Sequence, residues 1–120
     1  MAEALQLGLD TFGDITADTH PAQVIRDVVE QGVLADAVGI DFFGVGEHHR
    51  DDFAVSAPEM VLAAVAARTA RIRLGSAVTV LSSDEPVRVY QRFATLDAVA
   101  NGRAALAAGE PERAGALLAE

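Results

Sequence analysis

Three times in succession this 120-residue chain places a short, strand-like apolar run ahead of a longer run with helical spacing. That alternation restricts the fold more than any other feature. Leu5 to Asp10 alternates apolar with other residues and reads as a first strand. A loop rich in Gly, Asp and Thr follows from Thr11 to His20, and Pro21 then opens a helix, where its missing N–H is harmless. Val24 pairs with Val28 and Ile25 with Val29 at helical spacing, while Arg26, Asp27 and Glu30 take the other side. Gly39 ends that helix and Ile40 to Glu47 forms a second strand. Ser56-Ala57-Pro58-Glu59 has the spacing of a capping box and predicts a helix running to about Thr69. Ile72 to Leu81 is β-branched and predicts a third strand. Ser82-Ser83-Asp84 reads as a turn and cap for a helix from Pro86 to about Val99, closed at Asn101-Gly102. Arg103 to Gly109 is expected as a fourth strand and Glu110 to Glu120 as a last helix. Strands separated by helices pair in parallel through right-handed crossovers. The fold class is α/β, with parallel βα repeats in one domain over residues 1–120.

Composition agrees with that class. Hydrophobic residues make up 51% of the chain but aromatics only 5%. The apolar mass is therefore Ala, Val and Leu, the usual filling of helix-covered parallel sheets. A net charge of -9 argues against nucleic acid and anionic membranes as partners, since both need clustered Lys and Arg. The absence of cysteine excludes disulfides and thiolate chemistry. No apolar run is long enough to span a bilayer, and the N-terminus lacks the pattern of a signal peptide, so a cytoplasmic location is expected.

The chemistry gathers at Phe42-Phe43-Gly44-Val45-Gly46-Glu47-His48-His49-Arg50-Asp51. An apolar, glycine-containing strand ends there in a glutamate and two histidines. Burying such groups costs free energy unless partners are supplied, and that end of a strand is where parallel α/β proteins collect ligands. Imidazoles beside carboxylates could hold a metal, but adjacent strand residues face opposite ways, so His48 and His49 should not share one ion; no metal is expected. The bland alternative is a pair of histidines satisfied by neighbouring carboxylates. Gly44-x-Gly46 lacks the third glycine of a dinucleotide fingerprint and is read as relief of crowding. Phe12 and Glu47 are the substrate-pocket candidates, while Asp10 and Asp14 read as solvated loop carboxylates. Arg68, Arg71 and Arg73 are expected to be solvated rather than to form an anion site.

Taken in order, these motifs resemble the bacterial luciferase-like superfamily of flavin-dependent monooxygenases and oxidoreductases. The carriers are Gly8 to Gly13 (Gly-x-x-x-Phe-Gly), Gly39-Ile40-Asp41, Glu47-His48-His49, and Ile72-Arg73-Leu74-Gly75-Ser76-Ala77-Val78. Pro86-Val87-Arg88, Leu96-Asp97 and Asn101-Gly102-Arg103 complete the set over roughly residues 5–104, with 105–120 a non-matching tail. The resemblance implies a (β/α)8 barrel that binds reduced FMN, or in some branches F420, and uses O2 to oxidise a small organic substrate. It puts His48 in the catalytic position, as an acid/base or a stabiliser of flavin–oxygen intermediates. It assigns Gly75, Ser76, Ala77 and Val78 to cofactor binding, with a non-proline cis peptide at Ala77-Val78 beneath the flavin ring. Such a barrel takes about 250 residues and eight strands, so the pattern here accounts for an N-terminal half-barrel and a truncated enzyme is expected. Its open face, including Leu7, Val45 and Val78, would then need a missing C-terminal half or a second copy of the chain as homo-oligomer partner. The competing expectation is a non-enzymatic remnant or interaction module that keeps the half-barrel without binding flavin.

Overall fold

The computed structural model describes residues 4–106. Four strands alternate with three helices: β1 (Gly8–Thr11), α1 (Pro21–Val38), β2 (Phe42–Val45), α2 (Pro58–Ala66), β3 (Arg73–Ser76), α3 (Pro86–Val99) and β4 (Ala104–Ala105). The strands form one parallel sheet in the order β1-β2-β3-β4. Among the described residues no helix is long and apolar enough to cross a membrane. The helix expected from Glu110 to Glu120, and the end of the fourth strand, lie outside the described residues.

The register explains how one sheet serves two purposes. Leu9, Phe43, Leu74 and Ala104 stand side by side, as do Asp10, Gly44, Gly75 and Ala105 on the opposite face. The first row faces the helices, where Phe43, Val45 and Leu74 are buried with Val28 of α1, Leu62 and Val65 of α2, and Phe93 of α3. The second row is almost bare, and the Phe42 ring lies across it. A Cβ on Gly44 would come within 2.9 Å of the Phe42 ring, and one on Gly75 within 2.9 Å of it. Val45 thus does not belong to the open face: it is 0% exposed, because odd-numbered positions of β2 point to the helices. Leu7 and Val78 are exposed at 53% and 41%.

The ends of α1 follow the sequence. The His20 side chain accepts from Ala22 N at 3.1 Å, Pro21 follows it, and Gly39 closes the helix at φ 90°. Two expected caps are not there. Ala57, not Ser56, caps α2, and no side chain bonds the free amides. Glu59 instead pairs with Arg92 of α3 at 3.0 Å, so tertiary contact takes the carboxylate that a capping box would use. The helix also stops at Ala66, short of Thr69. At α3 the cap is Glu85, which accepts from Arg88 N at 2.9 Å, while Asp84 accepts from Glu85 N and pairs with Arg92. The third strand ends at Ser76, five residues earlier than expected, and a 3-10 turn spans Leu81–Ser83.

Two side chains tie distant segments together. Asp36, in the last turn of α1, accepts from Ala70, Arg71 and Ile72 amides at 3.3, 3.1 and 2.8 Å, which fixes the approach to β3. Burial works against ionisation of that carboxyl, but the three amides outweigh it and hold its pKa below the usual value. A depressed carboxylate contributes stability that is present above its unfolded pKa and lost as pH falls through the folded one. Asp36→Ala is therefore expected to cost about 1–3 kcal/mol near neutral pH, with the gap to wild type closing in acid. Urea midpoints measured across the acid range check this. The arginines near this turn are less free than expected: Arg68 pairs with Glu30 at 2.5 Å and Arg71 donates to Asp36 O at 2.8 Å, while Arg73 is exposed.

Candidate functional site

At the C-terminal ends of β1, β2 and β3, Phe12, Glu47, His48 and Ala77 come together. Gly46 makes this possible. A Cβ there would lie 2.6 Å from the Phe12 ring, 3.1 Å from His48 Cε1 and 3.2 Å from Ala77 O. Ala77 N donates to Val45 O at 2.9 Å and Gly46 N to Thr11 O at 2.9 Å, so all three strand ends are locked at one level. The peptide between Ala77 and Val78 is cis, as the family resemblance implies.

The two histidines part company. Glu47 and His49 lie two residues apart and share a side: His49 Nε2 is 2.6 Å from Glu47 Oε2. Glu47 is buried, and its other oxygen accepts from Val80 N at 3.4 Å, beyond the cis peptide. It therefore ties the end of β2 to the segment after β3, and its carboxylate is engaged by His49 and the Val80 amide. His48 turns the other way. Its ring stacks on Phe53 at 4.3 Å and meets Phe12 edge-on at 5.1 Å. Nδ1 of His48 is buried without a hydrogen-bond partner. Among the described residues no three His, Asp or Glu side chains gather as metal ligands.

Of the remaining residues expected here, Gly75 lies one level deeper, under the Phe42 ring. Ser76 is buried and accepts from Thr79 Oγ1 at 2.9 Å, so its side chain supports the loop. Val78 and Phe12 remain partly exposed, at 41% and 43%. Phe12 also borders a groove with Asp10, Gly13 and Asp14 beside α1. Sequence reasoning missed Phe53. The available signal was a lone aromatic in an otherwise polar loop, five residues after His48.

Exposed apolar area on Phe12 and Val78 flanks the small Ala77, and a histidine with an unmatched buried nitrogen stands at the margin. Such sites are mostly apolar with a few convergent polar groups.

A sequence model described as luciferase-like monooxygenase matches residues 5–114. Limonene 1,2-monooxygenase of Rhodococcus erythropolis is 40% identical over 104 residues, covering 82% of this chain and 27% of that protein. F420-dependent glucose-6-phosphate dehydrogenase of Amycolatopsis mediterranei is 37% identical over 93 residues, covering 72% and 28%. Among solved structures, the oxygenating constituent of 3,6-diketocamphane monooxygenase from Pseudomonas putida is a type II Baeyer-Villiger monooxygenase in complex with FMN. It aligns with a TM-score of 0.83 at 25% identity, over 88% of this chain and 29% of its own. The present chain thus spans under a third of the length of these relatives.

Proposed function

Because the chain belongs to the luciferase-like monooxygenase family and its four parallel strands form part of that TIM barrel, we propose that it supplies one wall of a reduced-flavin site for O2-dependent oxidation of a small organic substrate. The observation that carries this reading is the convergence of Phe12, His48 and Ala77 on Gly46, beside the cis Ala77-Val78 peptide. Reduced FMN, or F420, is the group that would bring the reducing electrons. Ala77 and Val78 would hold the ring, with Gly75 and Ser76 supporting them from below, and Phe12 would exclude water from one side. His48 holds or moves a proton at the edge of the site. Glu47, tied to Val80 N and His49, keeps the Ala77–Val80 segment in place.

Barrels of this type grip phosphate with loops after strands seven and eight, beyond the four strands described. Residues 1–120 alone should therefore bind FMN poorly, since each charge-assisted bond to the phosphate is worth roughly 1.5–3 kcal/mol. Co-expression with the C-terminal portion of limonene 1,2-monooxygenase should restore a tight 1:1 complex. Titration calorimetry checks both. A tight complex with the chain alone contradicts the division of labour, and no binding in either sample returns the chain to an interaction module.

A further inference from the structure

The His48 ring is enclosed by two aromatic rings. Phe53 stacks on it with planes 29° apart, Phe12 stands at 69° to it, and the two phenyl rings are mutually perpendicular. Phe53 is itself well anchored. Its backbone bridges Asp14, Ile15 N donates to Asp52 O at 2.9 Å, and Ala54 N donates to Gly13 O at 2.8 Å. His48 N donates to Val55 O at 3.0 Å, so the same short segment holds both the ring and its neighbour's backbone. The Arg50 guanidinium lies over the Phe53 ring, 5.7 Å from its centroid.

Nδ1 is buried here with nothing to bond. Neutral imidazole carries one N–H and one lone pair. An N–H buried without an acceptor is the rarer orphan in proteins, so the proton belongs on Nε2, the nitrogen left to reach a partner. We propose that Phe53 is a positioning residue: stacked on the His48 ring whose Nδ1 is buried, it holds neutral His48 as the Nε2–H tautomer. His48 then meets an oxygen-bearing cofactor or substrate as a hydrogen-bond donor, not as a base. The role toward a ligand rests on the flavin-site reading above; the tautomer does not.

Long-range proton–nitrogen NMR correlations of the imidazoles in the isotope-labelled full chain, in mildly alkaline buffer, test this without flavin. The expected His48 pattern has a bare Nδ1 and a protonated Nε2. Phe53→Tyr keeps the stacked face and should keep that pattern. Phe53→Ala admits water to Nδ1, so the two nitrogen shifts should converge as tautomers mix, with His20 unchanged as internal control. A proton on Nδ1 in the wild type overturns the proposal, and that measurement needs no variant to fold. A mixed pattern in Phe53→Tyr, or an unchanged one in Phe53→Ala, overturns it too. Failure of flavin binding leaves these spectra untouched, so the two readings fail separately.

Discussion

His48→Ala is expected to lower turnover about 10²–10⁴-fold in the chain complemented with the C-terminal portion of a relative, and His49→Ala by much less. The two rings are adjacent in sequence but have different neighbours. His48 stands with Phe12 and Phe53 near Ala77, whereas His49 is half exposed and engaged with Glu47. Loss of the His49 ring leaves Glu47 with only the Val80 amide among these partners, so its effect should act through the Ala77–Val80 segment and show as weaker flavin retention. Comparing turnover and flavin affinity of the two variants separates these routes. Equal losses in turnover, or a larger one at His49, would contradict the assignment of His48 as the working histidine.

Arg103→Ala should be the most damaging of the surface-reaching substitutions. Its guanidinium donates to Ala100 O at 2.7 Å, Thr69 Oγ1 at 2.9 Å, Ile72 O at 3.0 Å, and Ala66 O and Thr69 O at 3.2 Å. These acceptors belong to the end of α2, the turn into β3 and the end of α3, so one side chain fastens three elements at the base of the sheet. Hydrogen bonds to a charged group are worth roughly 1.5–3 kcal/mol each, and removing the donor leaves carbonyls unmatched. Because the group is partly solvated and the bonds are not additive, a total loss of about 3 kcal/mol is expected, against a typical stability of about 5–15 kcal/mol. Arg103→Lys should recover little, since an ammonium cannot spread five donors in a plane. Urea denaturation of the three proteins checks this, and a midpoint unchanged in Arg103→Ala would refute it.

Much of the architecture was legible from local chemistry. Val24/Val28 spacing, Pro21, Gly39 and Asn101-Gly102 bracket helices because turn and cap residues act within a few positions. What local pattern could not reveal depends on partners far along the chain. Asp36 meets amides 34–36 residues away, and Arg103 reaches back 31–37 residues to α2 and the turn before β3. Glu59 looked like half of a capping box because Arg92, its partner, lies on another helix. Ile72 to Leu81 looked like one long strand, since β-branched residues do not announce a cis bond at Ala77-Val78; only the family resemblance pointed to it. Glu47, His48 and His49 stood out as titratable groups at a strand end, but their separate neighbours emerged only with the loop that carries Phe53.

The central claim is that the bare strand ends around Gly46 form the seat of a flavin. Its most direct measurement is an FMN titration, repeated with F420, of the complemented chain with and without Gly46→Leu. A leucine there must displace Phe12 and His48, whose atoms lie 2.6 and 3.1 Å from the position of its Cβ, while the helix-facing core of Phe43, Val45 and Leu62 is left in place. Tight stoichiometric binding of one of the two cofactors by the unaltered chain is expected. A loss of about 100-fold or more is expected in the variant, the equivalent of at least ~2.7 kcal/mol, in a protein that still unfolds cooperatively but at a urea midpoint lowered by the overpacking. Undiminished affinity in a folded Gly46→Leu protein would contradict the claim.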